Sequence, residues 1–242
     1  MKRLIIPGLI AFLLLLVATF PARVAYNLFT PNGLQLSGIS GSIWSGAAAE
    51  GVAGGAYIQD IAWQLKPASL FSGDLAFATS SRPMSGKIEA DLAVSPNGTL
   101  TLSGVTGRVP LDLVHPLLQQ NGLRGDIELE FSVLEIRNGV PTSAVGFVTL
   151  SNFYAPDLAS SRIGDFRADI TTADDDIVAQ VADLDGSLDL DGVITVNADR
   201  SFSFLGQVGP APGAPASIAN QLRGLGTPDA RGRHEFRFEG QL

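Results

Sequence analysis

Carboxylates are the most concentrated reactive groups in this chain of 242 residues, with ten aspartates against one arginine, Arg167, between Asp165 and Asp199. Oxygen donors at that density suit a hard cation such as calcium. Asp183-Leu-Asp-Gly186 and Asp189-Leu-Asp-Gly192, beside the run Asp174 to Asp176, have the composition of oxygen-ligand loops. Yet Asp183, Asp185, Asp189 and Asp191 stand at odd positions while Leu184, Leu188, Leu190 and Ile194 stand at even ones. That is the period of an extended strand that turns its acids to water and its leucines inward. A calcium loop of the helix-loop-helix type also needs a glutamate at its twelfth position, which is missing here. The segment therefore reads as a solvated strand face, and no metal ligand is assigned.

Catalytic sets are equally sparse. There is no cysteine nucleophile, and the two histidines, His115 and His234, are far apart in sequence. His234 alternates with Phe236 and Phe238, so it is expected to point inward and to satisfy itself with a hydrogen bond; His115, just before Pro116, reads as a capping residue at a helix break. No G-x-S-x-G elbow occurs, and the phosphate-loop pattern fails because Ser81 stands where Lys87 would require a glycine. Asn97-Gly-Thr99 matches a glycosylation acceptor, but Pro96 before it makes a hairpin turn the plain explanation. The reading is of a non-enzymatic protein without a cofactor.

The elements around these residues begin with a membrane segment. Leu4 to Ala22 is uncharged over 19 residues, which as a helix at ~1.5 Å per residue just spans a hydrocarbon core of ~30 Å. Lys2 and Arg3 precede it, so the N-terminus is expected in the cytoplasm and the rest on the far side. A cleaved signal peptide is the competing reading. No small-x-small pair ends the stretch, and its apolar core exceeds the ~7–15 residues usual for such peptides, so a retained single-pass anchor is expected. With 24 acidic and 16 basic residues, and two of the latter ahead of the anchor, the exported part is acidic, which argues against nucleic acid as a partner.

Beyond the anchor the pattern has period two almost throughout. Tyr57, Ile61, Trp63 and Leu65 alternate with polar residues, as do Ile127, Leu129, Phe131 and Val133. Ile88–Leu92, Thr99–Leu102, Phe166–Ile170, Ser201–Phe204 and Glu235–Glu239 repeat the rule, and Pro96-Asn97-Gly98, Arg137-Asn138-Gly139 and Asp185-Gly186 are hairpin signals. The expectation is a mainly β fold: a curved antiparallel β-meander, either a taco-like sheet or an incomplete barrel. Two short helices interrupt it, one over Pro110 to Gln120 and one over Ala216 to Leu225 ending at Gly226. Trp44 and Trp63 both fall on the apolar phase and are expected to pack into the core.

Four segments also carry a resemblance. Leu36-Ser-Gly38-Ile-Ser-Gly41-Ser-Ile-Trp44-Ser-Gly46 lies soon after the anchor. Trp63-Gln-Leu-Lys-Pro67 runs on through Leu70 and Gly73 to Leu75. Gly104-Val-Thr-Gly-Arg-Val-Pro110-Leu and Leu225-Gly226-Thr-Pro-Asp-Ala-Arg-Gly232-Arg follow in order. Together they resemble the type II secretion system protein N family. The resemblance implies two parts: residues 1–22 as cytoplasmic tip and transmembrane anchor, and residues 23–242 as a periplasmic β domain of that family's type. It implies a non-enzymatic component of the inner membrane of a Gram-negative bacterium. Such a component supports export of folded proteins from the periplasm across the outer membrane, with other subunits of the system and inner-membrane lipid as partners. Gly38, Gly41, Trp44, Gly46, Trp63, Pro67, Gly73, Pro110, Gly226 and Gly232 are then motif positions of structural character. The family's relation to AsmA-like proteins implies an alternative, a periplasmic lipid-binding or lipid-transfer module with an acyl chain in the β groove. A periplasmic assembly factor for an outer-membrane protein is a third, weaker reading.

Overall fold

The computed structural model describes residues 2–29, 34–53, 56–83, 86–114, 122–137, 139–174 and 176–241. Two helices, α1 (Lys2–Ala18) and α2 (Ala22–Phe29), precede fourteen strands: β1 (Leu34–Ser37), β2 (Ser40–Gly41), β3 (Ser45–Ala53), β4 (Ala56–Leu65), β5 (Leu75–Arg82), β6 (Lys87–Val94), β7 (Leu100–Pro110), β8 (Arg124–Arg137), β9 (Val140–Tyr154), β10 (Gly164–Ala173), β11 (Asp176–Gly186), β12 (Leu188–Val196), β13 (Ser201–Pro210) and β14 (His234–Gln241). From β3 onward each strand pairs antiparallel with the next, β1 lies against β3, and β2 adds a short pairing to β3. The result is one open sheet with β1 and β14 at its edges. Turn chemistry makes this meander local. At Pro96-Asn97-Gly98, Gly98 takes φ +81° and donates its N–H to Ser95 O at 2.9 Å, while the Asn97 amide oxygen accepts the Thr99 N–H at 3.0 Å.

The uncharged run from Leu4 to Ala22 does not form one helix. Pro21 has no N–H to donate and disfavours the helical conformation at Phe20. α1 therefore ends at Ala18, and α2 starts again from Pro21, whose carbonyl accepts the N–H groups of Val24 and Ala25 at 3.1 and 3.2 Å. α1 has 17 residues, a length of about 26 Å. Among the described residues no helix is long and apolar enough to cross a membrane. Large apolar side chains of α1, including Leu9, Phe12, Leu13 and Leu15, are nonetheless exposed.

Two strand phases also differ from the alternation rule. In β4 the left-handed Asp60 (φ +49°) interrupts the period, so Ile58 and Ile61 both turn inward and Tyr57 is exposed. In β11 the register slips beside Leu184, because Asp165 pairs with Asp185 but Phe166 pairs with Asp183. Such a bulge reverses the side chains on one flank. Leu184 is exposed and Asp183 turns inward, where its carboxylate accepts the Leu190 N–H at 2.7 Å. Leu188, Leu190 and Ile194 do face inward, with Asp189 and Asp191 outward. Of the two expected helices, one forms over Ala216–Leu222 and closes through a 3-10 turn at Gly226, φ +116°. The other begins as the 3-10 turn Leu111–Val114, and the remainder, with His115 and Pro116, lies outside the described residues.

The apolar face is covered at two places. Over β1 to β4, α2 brings Ala22 and Tyr26 onto Ile39, Ala48, Ile61 and Trp63. Over β9 to β14, Ile218 and Leu222 of the Ala216–Leu222 helix meet Ala155, Ala159, Ile163 and Val208. Between these clusters Val105, Val109, Leu111 and Ala144 are buried, while Phe77, Leu92, Leu102, Leu129 and Val148 are half-buried. Ile163→Ala, at a side chain with 0% exposure, is expected to cost ~2–5 kcal/mol. Leu102→Ala, on the half-open stretch, should cost clearly less. Urea unfolding of the two variants checks this ordering, and equal losses would mean that the middle of the face is as closely packed as the clusters.

Candidate functional site

Where the helices meet the sheet, the first motif closes a corner. Gly38 (φ +65°) and Gly41 (φ +83°) take left-handed conformations that allow the chain to turn from β1 into β2 and then into the Ser42–Ser45 turn. Ser42 holds that turn: its N–H donates to Ser45 O at 2.9 Å, and its hydroxyl accepts the N–H groups of Trp44 and Ser45. At Gly46 a β-carbon would sit 2.5 Å from the Trp63 ring and 2.6 Å from Ser40 O. Only hydrogen fits there.

The turn then reaches the end of α1. The last carbonyls of a helix lack partners within it. Here the Trp44 indole Nε1–H donates to Val17 O at 2.7 Å and the Ile43 N–H donates to Phe20 O at 3.0 Å, while Pro21 bridges to Ser42. Trp63 completes the joint from the sheet side by donating its indole N–H to Ser42 O at 3.2 Å. Arg23 donates to Ile39 O at 3.1 Å, and the Tyr26 hydroxyl bridges Leu34 O and the Leu36 N–H. Helix, turn and sheet are thus joined by directional bonds. Trp44 is not in the core as its phase suggested; it lies half-buried in the β2–β3 turn because its indole caps the helix. Trp63 does pack against the buried cluster.

The second motif adjoins the corner. The Leu65 N–H donates to Trp44 O at 2.6 Å, after which Pro67 opens the 3-10 turn Pro67–Ser72 and Gly73 closes it at φ +86°. The remaining motif positions lie at the other end of the strands. Pro110 ends β7, Gly226 closes the turn after the Ala216–Leu222 helix, and Gly232 (φ +83°) belongs to the turn into β14. In that turn Asp229 accepts the N–H groups of Arg231 and Arg233, and the Arg233 N–H above all holds the Asp229 carboxyl below its ordinary range. Arg23 and Tyr26 escaped sequence reasoning. Their signal is the amphipathic stretch after Pro21, which puts Ala22 and Tyr26 on one face at i, i+4.

Carboxylates of the acidic segment are engaged one by one. Asp165 accepts the Asn152 N–H and Arg162, chiefly the latter lowering its pKa; Asp169 takes Arg167, Asp185 takes Arg162, Asp191 takes Arg233, and Asp199 takes the hydroxyl and N–H of Ser201. They pin turns and neighbouring strands. Among the described residues no three ligating side chains converge on a point. His234 is inward and 5% exposed, at the edge of the second cluster, but its Nδ1 has no hydrogen-bond partner there.

Gly46→Val should destabilise the protein strongly, because the added atoms must displace Trp63 and a backbone carbonyl. Trp63→Ala is expected to cost ~3–5 kcal/mol. Trp44→Phe removes one hydrogen bond and little packing, so ~1 kcal/mol is expected. Thermal unfolding of the three variants checks the order; a Trp44→Phe loss as large as that of Trp63→Ala would put Trp44 in the core.

Comparison with known proteins covers both motif regions. The family model for type II secretion system (T2SS), protein N, matches residues 32–237. The chain is 27% identical to the type II secretion system protein N of Aeromonas hydrophila, over 97% of this chain and 96% of that one. It is also 27% identical to the protein of the same name from Vibrio cholerae serotype O1, over the full length of both. No solved structure matches. With the glycine and tryptophan corner inside a match that spans nearly all of the sheet, this chain belongs to the type II secretion system protein N family.

Proposed function

We propose that the protein is a non-enzymatic inner-membrane component of the type II secretion system. The uncharged run Leu4 to Ala22, of which α1 is the main helical part, anchors it with the N-terminus in the cytoplasm, and the sheet stands in the periplasm beside other subunits. The observation that carries the reading is the union of an exposed apolar helix with a family-type sheet through the Val17–Trp44 and Phe20–Ile43 hydrogen bonds. A sheet joined in this way cannot swing freely from its tether. The polar, acidic outer face favours protein partners over nucleic acid. N-terminal sequencing of membrane-extracted protein should start at or near Met1, protease added to spheroplasts should digest the sheet, and loss of the gene should leave folded exoproteins in the periplasm. A mature start between Ala22 and Leu28 would overturn the anchor.

A second reading, a lipid-binding or lipid-transfer module, is favoured by one observation. Half-buried apolar side chains run in register across β5 to β8, from Phe77 through Leu92 and Leu102 to Leu134, on the stretch that neither buried cluster includes. An acyl chain laid along that face would dry it. Mass spectrometry of lipids retained after purification should find a stoichiometric acyl species if this reading holds, and only trace, mixed lipid if it does not.

A further inference from the structure

In an antiparallel meander the connections alternate between the two ends of the strands. The end that meets α1 carries the Ser42–Ser45 turn, the Pro67–Ser72 turn, the β6–β7 hairpin at Asn97-Gly98 and the β12–β13 turn at 197–200. Its composition changes from one corner to the other. Beside α1, Phe71 is 96% exposed and Leu70 50%, and the registered pair Leu75 and Val94 adds two more exposed apolar side chains at 43% and 40%. Across the sheet, the same end shows Asp174, Ala198, Asp199 and Arg200, all exposed.

Single exposed hydrophobic residues are ordinary, but a phenylalanine almost wholly in solvent, grouped with three further apolar side chains, asks for a covering surface. Trp44, whose indole bonds to the end of α1 where a membrane helix would emerge, also accepts the N–H of Leu65, two residues before the Pro67–Ser72 turn begins, so turn and helix end are tied to the same residue. Lys66, just before the turn, is paired with Asp91, so the patch offers apolar contact and not a free positive charge.

We propose that this turn is a second membrane contact. Phe71 and Leu70 enter the interfacial layer of the bilayer beside the α1 anchor, with Leu75 and Val94 at its surface, while the acidic corner stays in water. Aromatic and aliphatic side chains at a lipid–water boundary gain from removal from water without giving up polar groups. Two contacts fix the tilt of the sheet, where a single helix, though firmly joined to it, would leave helix and sheet free to tilt together in the bilayer. The inference rests on α1 being membrane-embedded.

The natural absence of cysteine makes the test direct. Full-length Phe71→Cys, Leu9→Cys and Ala198→Cys proteins are labelled with an environment-sensitive nitrobenzoxadiazole probe and reconstituted into phosphatidylethanolamine–phosphatidylglycerol vesicles. These hold lipids with a nitroxide near the headgroup or deep in the chains. All three sites are exposed, so labelling should leave the fold intact. The expected result is deep quenching at position 9, shallow quenching with a blue-shifted emission at 71, and iodide accessibility at 198 several-fold above that at 71. Quenching at 9 with position 71 as open to iodide as position 198 would overturn this inference and leave the anchor standing. Absence of lipid quenching at 9 and 71 alike would overturn the anchor and this contact with it, and equal lipid quenching at 71 and 198 would overturn the tilt.

Discussion

An open sheet with one apolar face has nothing opposite that face unless the chain supplies it. Most strands here alternate inward and outward side chains, broken only by bulges, so a meander of this width has one face to hide and cannot hide it by pairing alone. The chain meets the constraint with two small lids. α2 covers the first strands, and the Ala216–Leu222 helix with the β9–β10 connection covers the last ones. Without cysteine, no disulfide ties these lids down. Their hold comes from apolar burial and from bonds such as Gln221 to Asp157 O at 2.6 Å.

The first lid has a second task, because it is continuous with α1. A helix that ended in a flexible linker would transmit nothing to the sheet. Instead, Pro21 halts α1, the Trp44 indole bonds to the Val17 carbonyl in its last turn, and the Ile43 amide bonds to the Phe20 carbonyl just beyond it. Glycines make that approach possible, for a side chain at Gly46 would push Trp63 away. The corner is thus both the structural start of the sheet and the joint through which any membrane attachment acts on it.

Charge follows the same economy. Asp165, Asp199 and Asp229 are held below their ordinary carboxyl range, by Arg162, Ser201 and the Arg233 N–H respectively, so each favours the folded turn above that range and loses this contribution as the pH falls through it. Within the sheet, the Asp183 carboxylate accepts the Leu190 N–H beside the β11 bulge. A segment dense in acids is explained by these local bonds together with its solvated face.

Period-two alternation, hairpin residues and the two terminal motifs made the all-β meander, the Asn97-Gly98 turn and the Ala216–Leu222 helix legible from sequence, because each depends on neighbours within a few residues. Registers with a bulge were not legible. Nothing in Asp183-Leu-Asp tells which residue will be squeezed out, since that depends on where β10 places Asp165 and Phe166. Likewise Trp44 and Trp63 look alike along the chain. One caps a helix 27 positions away and the other packs beneath it. The sequence by itself determined the element types, the acidic outer face and the family motifs, all of which are local or compositional. Only the tertiary structure decided that α2 folds back on the sheet after the break at Pro21, and which motif residues meet, because those depend on long-range contacts and hydrogen bonds that no period encodes.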